Sequence, residues 1–162
     1  MAVNTVNVKM AEMDVVTDGS SLKTILGSCV GIILCDPVRR VSGLAHVMLP
    51  NRYSEDAATG KYADTAIPAL LSRLTESGGR RGSLQAFLIG GAQMFPMGNI
   101  RIASIGDQNV QAACKILTER KIPIVFQDTG GKAGRTVLFD NATGRVSVRT
   151  LQTIESRGGS AK

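Results

Sequence analysis

The chain has 162 residues with a hydrophobic fraction of 43%, which predicts one domain over residues 1–155 and a disordered tail over 156–162. No apolar run approaches the roughly 18 residues of a membrane span, and the N-terminal segment does not resemble a secretion signal, so we expect a cytoplasmic protein without membrane insertion. The net charge of +6 is scattered and few aromatic residues accompany it, which argues against nucleic acid and favours solubility or an acidic protein partner.

The first fifty residues predict strands around one hairpin. Residues 4–10, "NTVNVKM", alternate apolar and polar positions and indicate an edge or half-buried strand. A polar segment, "TDGSSLK", then leads to two β-rich runs at residues 30–35 and 41–49. The turn between these runs contains Pro37, whose fixed φ suits that position, so the runs predict a β-hairpin.

A helix is predicted after residue 63, because the apolar period changes. Asp64 or Thr65 is expected as its N-cap, Pro68 is expected in its first turn, and Gly78-Gly79 ends it. One face is apolar and is formed by Ile67, Leu70, Leu71 and Leu74. "SLQAFLIGG", residues 83–91, follows as a buried strand.

A second helix and three strands complete the predicted elements. The helix is expected from a cap at Asp107 to Arg120-Lys121, and Pro123 prevents its continuation. "IPIVFQD", "RTVLFD" and "RVSVRTL" read as strands, the last two joined by a hairpin turn, "NATG". About seven strands and two helices predict an α+β fold in which the helices pack on a mixed sheet or β-sandwich.

The three cysteines, Cys29, Cys35 and Cys114, are odd in number and show no C-x-x-C spacing, so we expect free thiols. A single histidine rules out a multi-histidine metal site, and no dense group of carboxylates replaces it. The glycine-rich "DTGGKAGRT" lacks the residue order of a phosphate-binding loop. It predicts a turn before a strand, although its glycines would also let the backbone approach a substrate chain closely.

Cys29 and His46 lie at mirrored ends of the predicted hairpin. If the turn closes at residues 36–39, Cys35 pairs with Arg40 and Cys29 pairs directly with His46. Opposed residues hold their Cβ atoms about 4.5–5.5 Å apart on one face. A slip of one residue would place the two side chains on opposite faces.

Such a pair suits nucleophilic catalysis. An imidazolium stabilises a thiolate and later protonates a leaving group. Backbone N–H groups around Gly27, Ser28 and Cys29 are candidate donors to an oxyanion, and Thr24 is a candidate to fix the imidazole tautomer. The competing interpretation is that Cys29 and His46 are ordinary core residues, which isolated buried cysteines and histidines often are.

Several ordered blocks resemble one family. "LGSCVGIILCDP", "GLAHVMLP", "KYADTAIPALL", "GGAQMF", "IGDQNV" and "IPIVFQDTGGKAGRTVLFDNATGRVSV" are similar to segments of the chemoreceptor glutamine deamidase family, CheD. The resemblance implies an α+β fold similar to toxin-deamidase-like cysteine hydrolases. It also implies hydrolysis of glutamine side chains to glutamate, with release of ammonia, through a cysteine thioester and without a cofactor.

The resemblance further implies residue roles and partners. Cys29 is the nucleophile, His46 the general base and Thr24 the third member, for which Lys23, Ser21 and Ser28 stay open alternatives. The implied substrate is the cytoplasmic helical bundle of methyl-accepting chemotaxis receptors. The main alternative function is an adaptor that binds a CheC-type phosphatase, with catalysis secondary, and a second alternative is transamidation by the same thioester.

Overall fold

A computed structural model describes residues 4–52, 58–94 and 104–151. The expected tail at 156–162, and the domain end at 155, lie outside these ranges. The described residues form nine strands and two α-helices in this order: β1 Thr5–Asn7, β2 Met13–Val16, β3 Ser21–Leu26, β4 Val30–Asp36, β5 Val41–Val47, α1 Ala63–Glu76, β6 Gln85–Gly90, α2 Ile105–Glu119, β7 Ile124–Thr129, β8 Arg135–Asp140 and β9 Arg145–Thr150.

The strands form two sheets that lie against each other. A four-stranded sheet has the order β1-β3-β8-β9, and a five-stranded sheet has the order β2-β5-β4-β6-β7. Both sheets are mixed, because β1 runs parallel to β3 and β7 runs parallel to β6, while the other neighbours are antiparallel. The predicted α+β fold with helices packed on a mixed sandwich is therefore confirmed.

Two apolar clusters hold three layers together. Side chains of β4 alternate between them: Val30, Ile32 and Leu34 point toward α1 and α2, whereas Ile33 and Cys35 point toward the four-stranded sheet. Both β4 and β5 are buried along their whole length, and burial on both faces explains why β4 is apolar as far as Asp36. The five-stranded sheet is thus the middle layer, and its inner face with β3 encloses the site described below.

Two strands were not predicted. β3 lies in the stretch that the sequence presents as partly polar, yet its alternate residues Leu22, Thr24 and Leu26 are buried. An inward-facing threonine interrupts the apolar alternation, and tertiary packing overrides the local pattern. β2 is a four-residue strand that, among the described strands, pairs with β5 alone. The strand expected over 4–10 is shorter, at Thr5–Asn7.

The helix N-caps predicted from sequence are wrong by two or three residues. Helix α2 is capped by Ser104, whose hydroxyl accepts a hydrogen bond from the Asp107 N–H, so Asp107 lies in the first turn. Helix α1 follows Tyr62, because the Asp64 carboxylate accepts from the Arg52 N–H instead of capping the helix. Pro68 consequently lies in the second turn and not in the first.

The β4–β5 hairpin is confirmed, but its predicted register is wrong by two residues. The last pair is Asp36 with Val41, so the loop contains four residues. Arg40 adopts a φ of 56° and donates its N–H to the Asp36 carbonyl at 2.8 Å. The Asp36 carboxylate accepts from the N–H groups of Val38, Arg39 and Arg80. These bonds hold a loop of the predicted length one residue further along the chain, at 37–40 instead of 36–39, so each pairing shifts by two residues.

No helix in the described ranges has both the length and the apolar character needed to span a bilayer.

Candidate active site

Thr24 and His46 meet between the two sheets. Thr24 faces inward from β3 and His46 faces inward from β5, and each is 3% exposed. The Thr24 Oγ1 atom lies 2.8 Å from His46 Nδ1 and 2.7 Å from the Val8 carbonyl oxygen. The sequence-based expectation that Thr24 contacts the imidazole is therefore confirmed.

These contacts select one imidazole tautomer. A carbonyl oxygen only accepts, so the single hydroxyl proton of Thr24 goes to Val8. Thr24 Oγ1 must then accept the proton of His46 Nδ1. In the neutral ring the other nitrogen, Nε2, is left with a free lone pair and can accept a proton.

Among the four candidates for the third member, the contact with His46 belongs to Thr24. Thr24 is buried, whereas Lys23, one position away on β3, points to the opposite face and stands opposite Leu138. Ser21 pairs with Asp140 at the far end of β3. Ser28 lies in the loop after β3, and its carbonyl is held by α2.

Burial keeps both functional groups neutral. It lowers the pKa of His46 below its usual 6.5, and the nearby Val8 backbone carbonyl, which favours the protonated ring, opposes that shift. Burial also raises the pKa of the Cys29 thiol above its usual 9.0. At neutral pH the free protein therefore holds a thiol and a neutral imidazole, in place of the thiolate and imidazolium expected from the sequence.

Cys29 does not pair with His46, contrary to the sequence-based expectation. Gly31 is the residue opposite His46, and the same register places Met48 opposite position 29. The shift is two residues, so Cys29 keeps the same face as Gly31 and packs against the apolar cluster between the sheets. Residues displaced by two along paired strands are diagonal neighbours, about 7–8 Å apart. No hydrogen bond between the Cys29 thiol and His46 occurs in the described structure.

The loop between β3 and β4 uses its carbonyl groups and leaves its N–H groups open. The carbonyls of Gly27, Ser28 and Cys29 accept from the Ala92 N–H at 3.0 Å, the Asn109 side-chain amide at 3.1 Å and the Gly91 N–H at 2.9 Å. Within residues 4–52, 58–94 and 104–151, none of the three loop N–H groups has a hydrogen-bond acceptor. Unused backbone donors beside a thiol can stabilise a developing oxyanion.

Gly31, the residue opposite His46, allows β3 side chains to pack closely on β4. A Cβ atom at this position would lie 3.0 Å from Leu26 Cδ1 and 3.7 Å from Thr24 Cγ2. A larger residue would therefore push against Leu26, next to Thr24.

The glycine-rich turn lies beside the loop that carries Cys29. Arg135 is 7% exposed and donates to the Gly90 carbonyl at 3.3 Å and the Gly130 carbonyl at 2.8 Å. Its Nε also lies 3.4 Å from a carboxylate oxygen of Asp128. Gly90 adjoins Gly91, which binds the Cys29 carbonyl. The predicted turn before β8 is confirmed, and Arg135 ties it to this region.

Two residues in this region were not predicted. The burial of Asn109 could have been predicted from the sequence. It lies four residues before Ala113 and eight before Leu117, and so falls on the buried face of α2. The burial of Arg135 could not have been predicted, since an arginine at the start of a strand is typical of the surface. The three cysteines are free thiols, as expected. In the part of the chain that is described, no three His, Cys, Asp or Glu side chains are placed to hold a metal ion.

Comparison with known proteins identifies the family. Residues 48–150 match the model of the family described as CheD chemotactic sensory transduction. Thr24, Cys29 and His46 precede that range, but matches to individual relatives extend over about 90% of the chain.

A Halalkalibacterium halodurans protein named chemoreceptor glutamine deamidase CheD is 46% identical over 90% of this chain and 93% of its own length. A Methanococcus vannielii protein named probable chemoreceptor glutamine deamidase CheD is 43% identical over 88% of this chain and 92% of its own.

The crystal structure of a Neisseria meningitidis protein assigned to the DUF152 family is similar in fold, with a TM-score of 0.53 and 13% identity, over 80% of this chain and 64% of the other. The family match and the two relatives give the same answer: the chain belongs to the CheD family.

Proposed function

We propose that this chain is a protein-glutamine deamidase. It converts glutamine side chains on the cytoplasmic helical bundle of chemotaxis receptors to glutamate and acts in the cytoplasm. Two relatives that match most of the chain carry this activity in their names. The observation that carries the proposal for this chain is the Thr24–His46 hydrogen bond of 2.8 Å, because it leaves Nε2 as a base on the face shared with Cys29.

In this proposal Cys29 is the nucleophile and His46 is the general base. The thiol starts protonated, because burial raises its pKa. Its proton passes to His46 Nε2 as the sulfur bonds to the carboxamide carbon, so the thiolate forms only during attack. Catalytic hydrogen bonds are often long before substrate binds, and the diagonal placement of the two residues is consistent with contact forming in the complex.

The N–H groups of the Cys29 loop supply the oxyanion hole. Attack moves the carbonyl π electrons onto oxygen, and that charge needs donors already in place. Gly27, Ser28 and Cys29 have their carbonyls held on other partners and their N–H groups unused. The three residues are partly buried, and reduced contact with water strengthens such interactions.

Collapse and hydrolysis complete the reaction. The carbon–nitrogen bond breaks, His46 Nε2 returns its proton to the departing nitrogen as ammonia leaves, and a thioester with Cys29 remains. Water then attacks the thioester carbon and gives a proton to His46, which returns it to the Cys29 sulfur as the carbon–sulfur bond breaks, so that the thiol and the neutral imidazole are restored. The net change is glutamine plus water to glutamate plus ammonia. The net charge of +6 assists approach to an acidic helical bundle.

The test is mass spectrometry of a purified receptor cytoplasmic fragment after incubation with the enzyme. Wild-type protein is expected to produce the amide-to-acid mass change at specific glutamines, and Cys29→Ala is expected to produce none. Cys114→Ala is the matched control, because Cys114 is a partly buried free thiol on α2, packed on the helix side of the middle sheet. It is expected to retain activity.

Two outcomes would redirect the proposal. Equal modification by wild type and Cys29→Ala removes the cysteine mechanism. No modification by either, together with binding of a CheC-type phosphatase, makes the adaptor function the better explanation. Ammonia released in a one-to-one ratio with new glutamates separates hydrolysis from transamidation, in which an amine takes the place of water.

A further inference from the structure

Asn109 is a polar residue at a buried position of α2, where an apolar residue is expected. Helix α2 buries four residues against the middle sheet, and Asn109 is the one among them with a polar side chain; the others are Gly106, Ala113 and Leu117. Asn109 is 0% exposed. Buried amides need hydrogen-bond partners, so this residue requires an explanation.

The two amide hydrogens of Asn109 bind two segments of the candidate site. Nδ2 donates to the Ser28 carbonyl at 3.1 Å and to the Met48 carbonyl at 3.0 Å. Ser28 precedes Cys29, and Met48 follows His46 by two residues. One side chain on the helix layer therefore connects the nucleophile loop to the strand that carries the imidazole.

The orientation of this amide follows from its partners. Both acceptors are carbonyl oxygens, so the NH₂ end must face them. Oδ1 is then buried without a hydrogen-bond partner. An apolar residue would avoid that unfavourable acceptor. The contribution of an asparagine at this position is therefore the two hydrogen bonds that it donates.

The bond to Ser28 fixes the direction of the next N–H. In a trans peptide the carbonyl and the following N–H point in opposite directions. Because the Ser28 carbonyl points to α2, the Cys29 N–H points away from the helix layer. That is the side on which Thr24 and His46 lie, and the Cys29 N–H has no acceptor within the described ranges.

We propose that Asn109 is a positioning residue that aims the Cys29 N–H into the site as an oxyanion donor. This inference rests on the proposed function of Cys29 as a nucleophile. Asn109 touches no reacting atom and acts through the Ser28–Cys29 peptide. Its loss should impair steps that create an oxyanion and spare reactions of Cys29 that do not.

The experiment compares three reactions in wild type and Asn109→Leu, which has similar volume and no amide. The first is receptor deamidation. The second is reversible inhibition by a peptide in which an aldehyde replaces the carboxamide of the glutamine side chain. The third is alkylation of Cys29 by iodoacetamide. The aldehyde adduct carries an oxyanion or hydroxyl on the attacked carbon, whereas alkylation creates no such group. Gln111→Leu, an exposed position on the same helix, is the control.

For Asn109→Leu we expect kcat to fall roughly tenfold to a hundredfold with KM little changed, as part of the loss seen when an oxyanion donor is removed. Aldehyde inhibition should weaken by a similar factor, while the alkylation rate stays within about twofold of wild type. Should Asn109→Leu fail to fold, Asn109→Gln, which carries the same amide one methylene further out, is expected to show the same selective loss.

Two results would overturn the inference. One is an equal fall in alkylation and aldehyde binding, which would indicate general disorder of the loop. The other is unchanged deamidation in an active preparation. Failure of the wild-type enzyme to deamidate receptor fragments would instead contradict the proposed function, and the comparison of aldehyde with iodoacetamide would still decide the role of Asn109.

Discussion

Thr24 and His46 belong to different sheets and are joined by a hydrogen bond of 2.8 Å between Oγ1 and Nδ1. Thr24 in turn donates to the Val8 carbonyl, so the direction of each proton along this chain of bonds is fixed. The sandwich itself thus sets the tautomer of the imidazole. In the proposed triad a hydroxyl anchored to the backbone takes the place of the carboxylate that is usual as the third member.

Replacing the hydroxyl with a methyl group should separate structure from catalysis. Thr24→Val keeps the side-chain shape but leaves the Val8 carbonyl and His46 Nδ1 without this partner, so we expect a loss of about 1–3 kcal/mol in the free energy of unfolding. The imidazole also loses its fixed orientation, which should lower kcat roughly tenfold to a hundredfold. Urea unfolding and receptor deamidation rates measure the two effects.

Thr24→Ser is the matched control, because it restores the hydroxyl on the same backbone position. It should recover most of the activity that Thr24→Val loses. The opposite result, with Thr24→Val close to wild type and Thr24→Ser impaired, would contradict this. It would show that activity depends on the packing of the methyl group and not on the hydroxyl.

The stability of the protein should depend on pH through His46. Burial lowers the pKa of His46 from its usual 6.5, so between the folded pKa and 6.5 the unfolded state binds more protons. The free energy of unfolding therefore falls as pH drops through this window and stops falling below the folded pKa. Urea unfolding of wild type and His46→Gln between about pH 5.5 and 7.5 tests this. Parallel curves for both proteins would assign the pH dependence to other groups.

The reactivity of Cys29 should report a protonated resting thiol. Burial raises the pKa of this thiol above 9.0, so the rate of alkylation by iodoacetamide should still be rising at about pH 9. Peptide mapping by mass spectrometry separates Cys29 from Cys35 and Cys114. A rate that is already constant at neutral pH would instead indicate a thiolate–imidazolium pair in the free enzyme.

The sequence correctly predicted that Cys29 and His46 lie on the same face of the sheet, but it did not predict the distance between them. Period-two alternation determines on which side of a sheet each residue lies, and an error of two residues in register leaves the side unchanged. The distance depends on where the hairpin turn lies, and the Asp36 carboxylate, which accepts three backbone N–H groups, holds the turn one residue further along the chain than predicted. That network includes Arg80, which is distant in sequence, so no local pattern reveals it.

The same reasoning explains which parts of the fold were predictable. The helices and the apolar strands could be predicted, because the spacing of their apolar residues along the sequence indicates which face is buried. β3 was not recognised, since its inward positions include Thr24, a residue placed there for the contact with His46. Local rules fail most often at functional sites, and β3 carries a residue of the proposed active site.

Gly90 should be sensitive to the smallest substitution. Its φ is +106°, and a Cβ atom would lie 2.5 Å from the Cys29 carbonyl oxygen. Gly90→Ala must therefore strain the backbone or displace the loop that carries Cys29, and we expect about 1–3 kcal/mol of destabilisation together with lower deamidation activity. Gly82→Ala is the control, because a Cβ atom at that glycine would meet no other atom within 4 Å and its φ lies outside the left-handed region. Similar melting temperatures for the two variants would contradict this account.

Arg135 should stabilise the ends of β6 and β7 beside the site. Its guanidinium is 7% exposed and donates to the Gly90 and Gly130 carbonyls, so Arg135→Met removes both bonds and leaves Asp128 without its ion pair. We expect a fall of about 1–3 kcal/mol in the free energy of unfolding, and a drop in kcat because Gly90 adjoins the residue that binds the Cys29 carbonyl. Arg149→Met, an exposed position on β9, should change stability by no more than about 0.5 kcal/mol. Equal effects of the two substitutions on urea unfolding would reduce Arg135 to an ordinary surface charge.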